Sequence, residues 1–274
     1  MLSASVVGTM ADAADIREAK RVLVLAAHPH DEFSIAATLR AHARAGDEVW
    51  AAWFARDDRD DVEQLRRSEA RRAAVGIGIE TERLLFSELD AVALPLQLSE
   101  LVTAVRATVD RVRPDIIFAP AFEGGHPDHD AVSFAVYEAA LDSGAEVLEY
   151  PIYRKAKSRR WLPRIPRFVR LLPGLSEPQV RHLTGREIRF KRSLWHVYRS
   201  QQSVLGVLLR LSGDSERFFS AEEMRPMPMR DYTRPPHERP LLYEEIPDVY
   251  FSFDEFASAV RHFHWSGGVG EDSI

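Results

Sequence analysis

Residues 21–27, RVLVLAA, run directly into residues 28–32, HPHDE. After its first residue the heptapeptide has no polar side chain and is rich in Val and Leu. A strand buried on both faces of a parallel sheet has this pattern, because neither face meets water and no alternation is required. The residues that follow are helical in period: over residues 32–45, Phe33, Ile35, Ala36, Leu39 and Ala43 share one side, and Gly46 lies just past the end as a C-terminal stop. The polar HPHDE therefore occupies a strand-to-helix turn.

The same unit recurs outward from it. Strands are predicted at residues 48–55, 84–86, 116–119 and 147–152, and helices at about 62–75, 99–112 and 130–141. Strands alternating with helices of about a dozen residues give βαβ units, right-handed crossovers and a mainly parallel sheet. The expected fold is α/β, Rossmann-like and doubly wound, with helices on both faces of the sheet and a C-terminal extension. Residues 1–19 read as an N-terminal extension and 20–274 as one domain. Its core spans 20–153, followed by a basic insertion at about 154–180 and a C-terminal part, 186–274, with one helix at about 187–205 and another near 254–263.

Composition narrows the function. The chain has 274 residues, a net charge of −6 and no cysteine. The negative balance supplies no global attraction to nucleic acid, and none is expected as a partner. Without thiolates, a bound metal has to use His, Asp or Glu. The first twenty residues lack the basic start and apolar stretch of a signal peptide, and no run of about 18 apolar residues occurs, so a cytoplasmic location without a transmembrane segment is expected. A dinucleotide site is not expected, because the turn after the first strand has no GxGxxG.

A second polar turn, residues 126–130 (HPDHD), follows the strand at 116–119. In doubly wound sheets ligands bind outside the carboxyl ends of the strands, where both turns fall. Brought together, they would supply two or three histidines and several carboxylates, a usual set for zinc with one position left open to water.

At these residues the chain resembles the LmbE-like, or PIG-L, family of metal-dependent N-acetylglucosamine deacetylases. AAHPHDE is similar to the family's AHPDDE turn and HPDHDAV to its HPDH turn. The order of elements from about 20 to 150 agrees, and RRSEARRA (66–73) and KRSLWHVYRSQ (191–201) also look like family segments. By position the resemblance implies that His28, Asp31 and His129 bind a metal, Zn2+ or another divalent ion of similar geometry such as iron, manganese or nickel, and that His126, oriented by Asp128, stabilises the oxyanion or protonates the leaving amine, tasks suited to an imidazolium. It further implies that Arg66 and Asp90 contact the sugar. The family's base is the first aspartate of DDE, and this chain has His30 there. Three readings of His30 stand: it is the base, Glu32 or Asp128 is the base while His30 shapes the pocket, or the protein binds without turnover.

The stretch 154–170 holds eight Lys or Arg and no acid. It reads either as a solvated loop or as a recognition element for an anionic group on the substrate or a lipid surface. Tyr250, Phe251, Phe253, Phe256, Phe263 and Trp265 read as packing residues. The activity implied is hydrolytic removal of acetyl from an N-acetylated amino sugar or glycoconjugate. The alternatives are an amidase on a thiol or natural-product conjugate, and a silent metal- or sugar-binding protein.

Overall fold

A computed structural model describes residues 17–91, 93–155, 166–202, 205–246 and 251–268. β1 (Arg21–Ala26) is the centre of the sheet, paired in parallel with β2 (Glu48–Arg56) on one side and β4 (Ile116–Pro120) on the other. Its continuous apolar run resolves into two faces. Leu23 and Leu25 enter one core with residues of α3 (Leu98–Val112) and α4 (Pro127–Ala140), whereas Val22, Val24 and Ala26 enter a second with residues of α1 (Ala36–Arg44) and α2 (Asp60–Ile77). Helices cover both faces, which is why β1 shows no polar alternation.

With β3 (Leu84–Asp90) beside β2 and β5 (Glu146–Tyr150) beside β4, the order over these strands is β3-β2-β1-β4-β5, all parallel. The order reverses between β1 and β4, and the carboxyl ends of these two strands flank the topological switch point. Both polar turns leave from there.

Past β5 the structure departs from the expectation. β6 (Tyr153–Lys155) and β7 (Pro166–Phe168) pair antiparallel, so part of the basic stretch is a hairpin; its residues 156–165 lie outside the described residues. The sheet then gains two strands, β8 (Gln179–His182) and β9 (Ala221–Pro226), antiparallel to each other, with β9 antiparallel to β5. The helix expected at 187–205 breaks in two: α5 (Gly185–Trp195) ends in a turn, and α6 (Arg199–Gln202) follows. The break lets Tyr198 turn inward, fully buried, to donate to Glu32 Oε1. α7 (Leu205–Ser212) and α8 (Ser215–Ser220) precede β9, and α9 (Phe253–Gly268) is the last element among the described residues. Phe251, Phe253 and Phe256 join the core with Phe122 and Tyr232, Phe263 packs on its edge and Trp265 is exposed; Tyr250 lies outside the described residues. Among the described residues no helix is long and apolar enough to cross a membrane.

Candidate active site

Asp31 anchors the first turn. Its Oδ2 accepts the backbone N–H groups of Ala27 (3.1 Å) and His28 (2.8 Å), fixing the chain as it leaves β1. Its Oδ1 is buried, accepts no hydrogen bond, and lies 3.2 Å from His129 Nε2. His28 Nδ1 is 3.3 Å from the same His129 nitrogen. On its other side His28 Nε2 meets Asp128 Oδ2 at 3.0 Å; a carboxylate oxygen accepts, so Nε2 carries the proton and Nδ1 keeps its lone pair.

Three donors thus converge. The ligand atoms of His28, Asp31 and His129 lie within 4.8 Å of one another, and a second group, His28, His126 and Asp128, shares His28. Donors about 2.0–2.2 Å from a common tetrahedral centre stand roughly 3.3–3.6 Å apart, close to the separations of His129 Nε2 from its two neighbours. The orphaned Asp31 Oδ1 and the inward lone pair of His28 suit a cation such as zinc. In that arrangement Asp128 is the outer carboxylate that orients a histidine ligand. It is nearer His28 than His126, whose Nδ1 it meets at 3.8 Å.

His126 is the N-cap of α4, and its Nδ1 accepts the N–H of Asp128 at 3.2 Å. Its proton is therefore on Nε2. Burial pushes His126 down to about 3, so near neutrality it is a neutral donor rather than the expected imidazolium. Burial likewise pushes His28, His30 and His129 down to about 4, the neutral form that ligates metals.

His30 stands in the left-handed region, φ 119°, which costs about 1–3 kcal/mol for a residue with a side chain. It is held there by its N–H donating to Glu32 Oε2 (3.1 Å), while its Nδ1 meets the Pro29 carbonyl oxygen. A carbonyl only accepts, so the lone pair is on Nε2, 3.5 Å from Asp31 Oδ1. Glu32, the alternative base, is fully buried and already accepts from Trp53 Nε1 (3.0 Å) and Tyr198; it is a support for the turn. Arg66 is paired with Asp57 Oδ2 at 2.9 Å, Asp57 lying just past β2. Asp90 is exposed at the end of β3, two strands from β1, and is not gathered with the histidines.

Glu123, just ahead of the second turn, and Asp130, at its end, hold the loop in shape. Asp130 Oδ1 accepts the N–H groups of Glu123 and Gly124, each at 3.1 Å, clamping the β4–α4 loop, and Glu123 Oε2 accepts the N–H of Ile152 at 2.9 Å. Gly124 has φ 66°, and a Cβ on Gly125 would overlap the Tyr153 carbonyl oxygen. Both positions demand glycine. Burial raises Glu123 to about 8 and Asp130 to about 7.

These shifts set a pH optimum for the stability of the metal-free protein. The four histidines have folded pKa values below 6.5, so their contribution is complete above 6.5 and is lost as pH falls through about 4. Glu123 and Asp130 have folded values above their usual ones, so their contribution is complete at low pH and is lost as pH rises toward about 8 and 7. The melting temperature, followed by calorimetry in chelator-treated buffer, is expected to peak at about pH 6–7. A steady rise through pH 8.5 would contradict this.

Fold and site together define a doubly wound α/β protein with a metal-competent histidine and carboxylate cluster at its switch point. Residues 23–140 match the family described as PIG-L, GlcNAc-PI de-N-acetylase. Similar crystal structures include the zinc-inhibited form of a teicoplanin deacetylase (16% identity, TM-score 0.58, covering 75% of this chain and 97% of that one). Another is the A40926 pseudoaglycone deacetylase (18%, 0.56, 76% and 97%). A third is N,N'-diacetylchitobiose deacetylase from Pyrococcus horikoshii (16%, 0.53, 78% and 85%). At these identities the likeness is one of fold.

Proposed function

We propose that the chain is a metal-dependent amide hydrolase that removes the acetyl group from an N-acetylated amino sugar or glycoconjugate, with Zn2+ held by His28, Asp31 and His129. The observation that carries this is the convergence of those three donors, with Asp31 Oδ1 buried and accepting no hydrogen bond. The family description and the names of the three similar proteins, all deacetylases, support it.

Zinc at such a site supplies Lewis acidity to the amide carbonyl and lowers the pKa of water toward about 7. The chain supplies the rest. His30, neutral with its lone pair on Nε2 beside Asp31, takes the proton of the attacking water and, being a weak base once buried, passes it on to the leaving amine nitrogen as the C–N bond breaks. His126 directs Nε2–H at the oxygen that gains charge as the carbonyl becomes tetrahedral, a preorganised donor in a dry site. Asp128 holds His28 with its lone pair inward. Arg66, anchored by Asp57, is the polar contact for the sugar on the β2 side; Asp90, farther out, is a contact only for a large glycoconjugate.

Acetate release from a panel of N-acetylated amino sugars, with and without chelator, tests the reading. Chelator-sensitive release supports it, and no release from any member of the panel by the zinc-loaded protein would overturn it. Within the same assay His126→Asn keeps an N-cap oxygen for α4 but cannot reach the carbonyl. Its kcat is expected to fall about 10²–10³-fold with metal content unchanged, the usual cost of one oxyanion donor. Unchanged kcat would remove His126 from this role.

A further inference from the structure

Tyr153, the first residue of β6, stands beside the histidine cluster. Its ring meets that of His129 edge-on at 5.3 Å and that of Phe168 at 5.8 Å. The bare backbone of Gly125 lets β6 come this close. Tyr153 is partly buried and shares the wall of a small apolar pocket with His30, Trp195 and Leu209. Three fully or nearly buried tyrosines give their hydroxyls to the protein: Tyr150 donates to the Leu25 carbonyl (3.0 Å), Tyr198 to Glu32 Oε1 and Tyr232 to the Ser133 carbonyl (3.1 Å). The Tyr153 hydroxyl has no such partner among the described residues. We infer that Tyr153 is a further catalytic residue, whose hydroxyl donates a hydrogen bond to the acyl oxygen of the amide during hydrolysis and to the carboxylate product. The inference rests on the amide-hydrolase reading above and adds a substrate contact to it.

Position decides which half of the amide Tyr153 meets. The strands run β2-β1-β4-β5, the two histidine turns leave β1 and β4, and Arg66, the proposed sugar contact, is held by Asp57 just past β2. Tyr153 lies three residues past the end of β5, on the opposite flank, so a sugar on the Arg66 side turns its acyl group toward Tyr153. The pocket that Tyr153 shares with His30 agrees. Its volume is ≈ 20 Å³, and a single water needs about 10–15 Å³ of such room, so a methyl group enters and a sugar ring does not. Apolar walls also leave the hydroxyls of a sugar without partners, which is costly, whereas a methyl has none to satisfy. Burial, and after it the carboxylates of Asp31 and Asp128, push the Tyr153 hydroxyl above the ordinary phenol range, so near neutrality it is a donor. A carbonyl oxygen that gains charge accepts more than one hydrogen bond, so Tyr153 acts together with His126.

The test is Tyr153→Phe, which keeps the ring against His129 and Phe168 and removes only the hydroxyl. In zinc-loaded protein acting on N-acetylated amino sugars, kcat is expected to fall about 10²-fold, with KM, zinc content and melting temperature at their parent values. NMR titration with labelled acetate is expected to show binding about tenfold weaker in the variant, the loss of one hydrogen bond to a charged group, while glucosamine binds as before. A kcat equal to the parent's overturns the inference and leaves the hydrolase reading standing. So does a fall in kcat matched by lost zinc or a lower melting temperature, which marks a structural residue. If the parent hydrolyses none of the sugars, the hydrolase reading falls and acetate binding decides alone. Weaker acetate binding in Tyr153→Phe then upholds Tyr153 as the acyl-oxygen contact, and equal binding by the two proteins, or none by the parent, overturns it.

Discussion

Asp31→Ala is expected to lower acetate release by at least about a thousandfold, ~4 kcal/mol in the transition state, and to remove zinc from the purified protein. The effect is large because one carboxylate does two things. Oδ2 receives two backbone N–H groups and sets the course of the HPHDE turn, while Oδ1 faces His129 Nε2 at 3.2 Å with no hydrogen bond of its own. On the proposed reading, loss of the side chain removes a metal donor, and it loosens the turn that carries His28 and His30. Asp31→Asn separates the two functions. Its amide oxygen can still accept the two N–H groups, so melting of the metal-free protein should stay within a few degrees of the parent while zinc content falls. Activity within about tenfold of the parent in Asp31→Ala would exclude this residue from the centre.

Glu222→Ala is expected to cost about 3–5 kcal/mol of stability, the penalty for leaving a buried charge without its partner. Glu222 is on β9 and fully buried, yet it caps a helix far away in sequence. Its oxygens accept the N–H groups of Ala37 (2.8 Å) and Thr38 (2.9 Å) and the Thr38 hydroxyl (2.7 Å), and Lys191 Nζ lies 3.1 Å away, also fully buried. α1 has no capping side chain of its own, since its N-cap is Ile35. A carboxylate there offsets the positive end of the helix dipole as well as the free N–H groups. The change should lower the melting temperature by roughly 6–20 °C. The pair Glu222→Leu with Lys191→Met removes both charges and should recover part of the loss but not all, because the α1 N–H groups remain unpaired at about 1 kcal/mol or more each. A loss below about 1 kcal/mol in Glu222→Ala would show that the cluster is not a brace.

The contrast between β1 and β9 explains how much of the fold was legible. β1 buries hydrocarbon on two faces and is visible as an uninterrupted apolar run. β9, AEEMRP, is buried as deeply but with Glu222, Glu223 and Arg225, each matched to a partner from elsewhere in the chain. Charges buried in pairs leave no apolar period, so β9, and β8 behind it, have no strand signature. The break between α5 and α6 was hidden for a related reason. Helical period continues through Val197 and Tyr198, and only the distant Glu32 makes it worthwhile for Tyr198 to leave the helix.

The site was legible to the extent that strand ends are. His28, His30, Asp31, His126, Asp128 and His129 stand at two turns flanking one switch point, and parallel topology alone brings them together. Protonation was not legible, because it depends on partners: the Pro29 carbonyl sets the tautomer of His30, the Asp128 N–H that of His126, and the Asp128 carboxylate that of His28. Nor were Glu123 and Asp130, whose work is to shape a loop from within. The apolar pocket beside His30 is assembled from α5, α7, α8 and the β7 strand of the hairpin, segments too far apart in sequence for any local pattern to reveal.

The central claim is that His28, Asp31 and His129 form one zinc site. Calorimetric titration of zinc into chelator-treated protein, run side by side on the parent and on His129→Ala, tests it most directly. The expected result is a single zinc per chain in the parent and no saturable binding in His129→Ala. Equal binding by the two proteins, or none by the parent, would contradict it.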